Sequence, residues 1–384
     1  MRKYFQTIAW LAMFSACLLG CGKQESDMLP NIGRNTNSTY DISKEKTANS
    51  SEVISIQHIT KELNENLCID AQAVIPEEKQ YSTYTLKMVD CDPERLFTLF
   101  CPEGHGSYTM EDRSNCIVYD ESSGKQLVIY EDSIDYRTYN FKTEDRPMQD
   151  LETLMYYHTV EHPNAVPHDL SFMSVEEMKK FGGDLLTQLG IAWEPKLFRS
   201  VTLSGREIMD FQQELFGDSG TYVQLGIPPT SLTAAEDTCY LQFNFAWDGI
   251  PLIGFDEPPA SSYEDFGASP VAKATIMLND DGVQSITVSS PCSIETASDA
   301  QSILYMDEAI VLLKDKYNLQ ILDVPRKIVD IWMEYIPVKR DGEWVLTPYW
   351  YFRQVNEKAI DSRNYFGSAD RFNAITGKDL TYGG

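Results

Sequence analysis

His158-Thr159-Val160-Glu161-His162 is the segment whose residue types and spacing are best suited to chemistry. On a helix, histidines at i and i+4 share one face and can hold a single metal ion, while the carboxylate beside them takes a proton from metal-bound water. His158, Glu161 and His162 would then perform a zinc-dependent hydrolysis. Against that reading, Pro163 follows at once, which confines the pair to the last turn of any helix. Pro163-Asn164-Ala165-Val166-Pro167-His168 reads as loop, and the chain's 58 acidic residues single out no third ligand. The expectation is a linker over 151–173 with exposed histidines, and no metal or other cofactor is assigned. Cys101-Pro102-Glu103-Gly104-His105 sets a thiol near an imidazole, the makings of a nucleophile pair. The local glycines favour a loop instead, with Cys101 bridged or buried. No Gly-x-Ser-x-Gly turn or phosphate-binding glycine loop occurs, and Asn279-Asp280-Asp281-Gly282 reads as a hairpin turn rather than a calcium loop.

The elements around these residues follow from periodicity. Leu67, Ile69, Ala71 and Ala73 alternate with polar neighbours, as do Tyr84, Leu86 and Met88, and both runs predict strands with one buried face. Asp92-Pro93-Glu94 supplies an N-cap, a preset first-turn residue and a dipole-matched acid for a short helix to Phe100. Ile117–Tyr119 and Leu127–Tyr130 predict a hairpin. Ser174-Val175-Glu176-Glu177 is a capping box ahead of the helical stripe Met178, Phe181, Leu185, Leu186 and Leu189, which Gly190 ends. A helix over Arg206–Phe216 follows, then strands over Tyr240–Trp247, Lys273–Leu278 and Val283–Val288. Ile303, Met306, Ile310, Leu313 and Tyr317 form a second helical stripe before strands over Ile328–Val338, Trp344–Val355 and Phe372–Asp379. The order helix, hairpin, strand thus occurs twice. The expected fold class is α+β, with antiparallel sheets each covered by a helix. The expected units are 51–150, the linker 151–173, then 174–295 and 296–384.

Hydrophobic residues make up 42% of the chain, enough for a globular body, and the formal charge of −26 disfavours nucleic acid and anionic headgroups as partners. Six cysteines lie beyond Cys21, at 68, 91, 101, 116, 239 and 292, and they allow fifteen pairings among which the sequence does not choose. Before them, Arg2 and Lys3 precede a short apolar run, the layout of a secretory signal over 1–20 that is too short to span a membrane. Residues 21–50 are polar and lack apolar periodicity, which predicts a flexible spacer.

Leu18-Leu19-Gly20-Cys21 resembles a bacterial lipobox, which implies a diacylglyceryl group on the Cys21 thiol and an extracytoplasmic body anchored to the cell membrane. Pro348-Tyr349-Trp350-Tyr351-Phe352, followed by Phe372-Asn373-Ala374-Ile375-Thr376-Gly377-Lys378, resembles the end of PepSY-like domains. Val283-Gln284-Ser285-Ile286 and Asp248-Gly249-Ile250-Pro251 are similar to the matching strands of a degenerate earlier copy, over 174–295. The whole layout is similar to uncharacterised surface lipoproteins of clostridia and other gut Firmicutes, and more remotely to extracytoplasmic regulators of the YycH and YycI kind. The resemblance implies a noncatalytic module that binds or restrains a protein or peptide at the cell surface. Within the strand, one face packs under the second helix and the other, with Tyr349 and Tyr351, is a candidate partner surface. Two alternatives stand beside this reading. One is a zinc-dependent peptidase, because HxxEH is the pattern of inverted zinc peptidases; the other is a structural or solute-binding surface lipoprotein.

Overall fold

The computed structural model describes most residues from Ser55 to Leu380; residues 1–54, 139–145, 218–231, 253–271, 357–368 and 381–384, with some shorter turns, lie outside it. The lipobox-like segment Leu18–Cys21 and the expected spacer over 21–50 lie outside the described residues. The fold is α+β, with mostly antiparallel sheets.

The described residues begin with strands β1 (Ser55–Asn64), β2 (Leu67–Ile75), β3 (Gln80–Tyr81) and β4 (Tyr84–Met88), and helix α1 (Pro93–Phe100). Next come β5 (Tyr108–Arg113), β6 (Cys116–Glu121), β7 (Gln126–Tyr130), β8 (Ser133–Arg137) and α2 (Arg146–Glu161). Helix α3 (Val175–Gln188), β9 (Glu194–Leu203) and α4 (Gly205–Phe216) lead to β10 (Thr238–Trp247), β11 (Ile250–Pro251), β12 (Lys273–Asn279) and β13 (Gly282–Ser289). The chain then runs through β14 (Cys292–Ala297), β15 (Gln301–Ser302), α5 (Met306–Asn318), β16 (Arg326–Arg340), β17 (Glu343–Asn356) and β18 (Ala369–Asn373).

The local signals act as expected. Asp92 accepts hydrogen bonds from the Glu94 and Arg95 backbone at the start of α1, and Ser174 and Glu177 close a reciprocal cap on α3. Asp248 and Gly249 both take positive φ, 47° and 72°, which matches a two-residue hairpin turn between the paired residues Trp247 and Ile250.

Strand partners cross the boundaries expected from sequence. One sheet runs β1-β2-β16-β17-β4-β14, with β18 beside β17. Its β2 and β4 come from the front third of the chain and are hydrogen-bonded to β16 and β17 from the end, β2 to β16 in parallel. A second, nine-stranded sheet runs β11-β10-β12-β13-β8-β7-β6-β5, with β9 on β10, and joins the hairpins of residues 108–137 to strands of 194–289. The hydrogen bonds therefore do not partition at 150, 174 and 295. The physical reason is that every antiparallel hairpin leaves an open edge, and here those edges are closed by strands distant in sequence. Helix α2 occupies much of the segment expected to be a linker.

Both faces of the nine-stranded sheet are covered. Leu241 and Phe243 of β10 join the main core with Leu185 and Leu186 of α3, which also holds Ile310 and Leu313 of α5 against the other sheet. Tyr240, next to Leu241 along the strand, points to the opposite face and packs with Leu151, Leu154 and Met155 of α2 and Ile208 and Phe211 of α4. The approach of α3 is close: a Cβ on Gly182 would stand 2.8 Å from the Phe243 ring.

Candidate functional site

Helix α2 forms because Leu151, Leu154 and Met155 recur at i, i+3 and i+4 and bury against β9, β10 and α4. It ends at Glu161, where the backbone N–H of His162 donates to the His158 carbonyl at 2.9 Å. A carbonyl of this last turn, that of Thr159, accepts from Arg199 Nη1 of β9 at 2.8 Å. The His158 ring turns inward. It is only 9% exposed and stands edge-on to Phe211, with ring centroids 5.0 Å apart, and 4.7 Å from the ring of His162. Its Nδ1 is buried with no hydrogen-bond partner. Burial, reinforced by His162 and opposed by the Glu207 carboxylate, pushes the His158 pKa down to about 4. The imidazole is neutral at pH 7.

Helix α4 begins beside it. Ser204 caps the helix, and Glu207, three residues on, returns the bond: its Oε2 accepts from the Ser204 backbone N–H and from Ser204 Oγ, both at 2.7 Å. The same Oε2 lies 3.3 Å from His168 Nε2. Although burial opposes it, hydrogen bonding to Ser204 holds the Glu207 carboxyl below its ordinary pKa. The backbone N–H of His168 donates to Thr202 Oγ1 of β9 at 2.7 Å, which fastens the segment after α2 to the sheet. Asp237 ties the same corner together, accepting from Ser171 and from the Gly205 backbone. Between the end of α2, the 165–168 segment, β9 and the start of α4 lies a pocket of about 150 Å³, lined among others by His158, His168, Thr202 and Glu207.

The other expected sites fare differently. His158, Glu161 and His162 share one helical turn, yet His158 is committed to packing, and no group of three His, Cys, Asp or Glu side chains suited to a metal occurs among the described residues. Exposed histidines were expected here, and His158 is instead buried. Cys101 is buried at the end of α1, while His105 lies outside the described residues. Tyr349 and Tyr351 are 6% and 1% exposed, so they offer no open partner surface. Trp332 stacks on the Tyr351 ring at 4.1 Å and Arg371 of β18 covers it, while Tyr349 packs with Ile336 and Val338 beside Leu380. This face is closed by side chains of β16 and the C-terminal segment, which the alternation of residues along one strand does not reveal. His168, Thr202 and Glu207 were not singled out from sequence. A signal existed in Ser204-Gly205-Arg206-Glu207, a second capping box.

A separate polar cluster sits where α2 crosses β8 and β13. Asp135 accepts from Arg137 at 2.6 Å, and Ser285 donates to Glu152 of α2 at 3.3 Å. Burial, against the pull of Arg137 and with a push from Glu152, raises the Asp135 pKa to about 6.

No protein-family model matches this chain, and no curated protein matches it. Among solved structures, the chain is similar to a protein of unknown character from Eubacterium rectale ATCC 33656, with a TM-score of 0.53 and 16% identity over 84% of this chain and 93% of that one. It is also similar to YycH from Bacillus subtilis, with a TM-score of 0.33 and 15% identity over 78% of this chain and 54% of that one. The first likeness shows a shared fold.

Proposed function

We propose that the chain is a noncatalytic binding or regulatory module, held at the outer face of the cell membrane by a lipid on Cys21. The observation that carries the noncatalytic part is the state of His158. A metal ligand must present a nitrogen lone pair to an open position, whereas this ring is packed against Phe211 in the last turn of α2. The anchored part rests on Leu18-Leu19-Gly20-Cys21 behind a short apolar run, followed by a polar stretch before the first described strand. Acyl chains contribute roughly 0.8 kcal/mol per inserted CH2, so two or more hold a soluble body on a membrane stably.

Crosslinking on intact cells, followed by capture of this chain, is the deciding experiment: a defined protein partner is the expected result, and capture of none counts against the reading. Cys21→Ala should leave the signal uncut or release the body from the membrane fraction, and unchanged cleavage and fractionation would overturn the anchor. The peptidase alternative requires stoichiometric zinc and peptide hydrolysis that Glu161→Gln abolishes. Purified protein is expected to show neither.

A further inference from the structure

Helix α2 meets the nine-stranded sheet through two kinds of contact. Leu151, Leu154 and Met155 pack with Tyr240 and Met277. Beside them, Glu152 of the same helix enters a polar cluster with Asp135 and Arg137 of β8 and with Ser285 and Thr287 of β13. The side chains of Asp135, Arg137 and Glu152 are 19%, 19% and 20% exposed, so all three charges sit largely out of water. One guanidinium serves both carboxylates, and it serves them unequally. Arg137 Nη1 donates to Asp135 Oδ2 at 2.6 Å, whereas Arg137 Nε stands 3.6 Å from Glu152 Oε2, beyond hydrogen-bond length. Thr287 Oγ1 donates to Asp135 Oδ1 at 3.4 Å, and Ser285 Oγ donates to Glu152 Oε1 at 3.3 Å. Val128, opposite Asp135 on β7, brings no charge, and the Tyr240 phenol of β10 lies within the field of Glu152. With both carboxylates ionised, these groups carry one negative charge more than Arg137 balances. A proton on Asp135 removes that excess.

We propose that this cluster is a proton-operated clamp on α2: when Asp135 takes up a proton, Arg137 turns to Glu152 and the helix is held more firmly on the sheet. The sign follows from reciprocity. Burial, reinforced by Glu152 and opposed by Arg137, raises the Asp135 pKa to about 6. Because Glu152 helps to hold the proton on Asp135, the proton in turn favours the seated helix that brings Glu152 there. The added grip is present at pH 5 and fades as pH rises through about 6. Since α2 lies over Tyr240 and Met277, that grip governs how readily this face of the sheet is uncovered.

Hydrogen exchange of the full-length chain, followed at pH 5 and pH 7.5 and corrected for the intrinsic rate at each, reads the seat of α2 directly. His158 answers acid in the opposite sense from the last turn of the same helix, so the quantity of interest is the difference between the unmodified chain and a clamp variant that retains His158. Asp135→Asn is neutral at both values and stands in for the protonated clamp. Relative to that variant, protection of residues 150–156 in the unmodified chain should rise threefold or more from pH 7.5 to pH 5. Glu152→Gln keeps an acceptor for Ser285 but removes the charge on the helix, and it should shrink the same pH dependence. A group that only packs would shift protection equally at both pH values. The same pH dependence in the unmodified chain and in both variants overturns the clamp. So does an equal change in residues 178–186 of α3, which marks loosening of the whole body rather than of α2.

Discussion

At the scale of single residues, His158 and Asp135 set opposite dependences on pH. The His158 pKa falls from the ordinary 6.5 to about 4 on folding, so its neutral form favours the folded state. The stabilisation is complete above about pH 6.5 and is lost as pH falls toward 4, which amounts to about 1–2 kcal/mol at pH 5. Asp135 moves the other way, from 3.8 to about 6, so folding is favoured while it is protonated and that contribution fades as pH rises from about 4 to 6. Urea midpoints measured from pH 4 to 8 should therefore lose their acid-side fall in His158→Gln and gain a steeper one in Asp135→Asn. Identical profiles for all three proteins would contradict both assignments. The buried Arg371–Glu334 pair, joined at 2.7 Å, belongs to the same scale. Arg371→Leu leaves Glu334 buried without its guanidinium and should cost about 3–5 kcal/mol.

At the scale of elements, two adjacent glycines in α3 should respond with opposite signs. Gly182→Ala drives a methyl into Phe243 and Leu241, both under 3.0 Å from the new Cβ, and should cost about 1–3 kcal/mol despite the better helix former. Gly183→Ala meets nothing within 4 Å and should stabilise by about 0.5–1 kcal/mol. Thermal midpoints of the two variants decide the matter, and a common sign would refute the close packing of α3 on β10. On α5, Ile310→Ala empties a fully packed site and should cost about 2–5 kcal/mol, while Asp307→Ala changes an exposed position and should cost far less. These helices were legible in the sequence because caps and apolar stripes are local signals. The stripe of Leu151, Leu154 and Met155 was equally local, yet Pro163 and the histidines beyond it drew that segment toward a linker reading. The pocket was illegible for another reason. His158, Thr202 and Glu207 reach it from three elements, and nothing in the residues between them states that α2 packs on α4.

At the scale of the whole molecule, strand pairing ties the two ends of the described chain together. Residues 51–295 alone contain β2 and β4 without β16 and β17, their partners in the seven-stranded sheet. That fragment is expected to melt broadly and at low urea, whereas the full body should give coincident transitions by circular dichroism and tryptophan fluorescence. A sharp, independent transition of the fragment would restore the separate front unit. The parallel pairing of β2 with β16 also bears on how the chain reaches this state. Leu67 sits opposite Arg326, so roughly 260 residues must be synthesised before that contact can close. At about 5–20 residues per second, the β1–β2 hairpin waits tens of seconds with an open edge. During that interval its unpaired backbone groups are available to any passing strand, and a holdase would have to shield them. The strand that leaves the ribosome among the first acquires its lasting neighbour among the last.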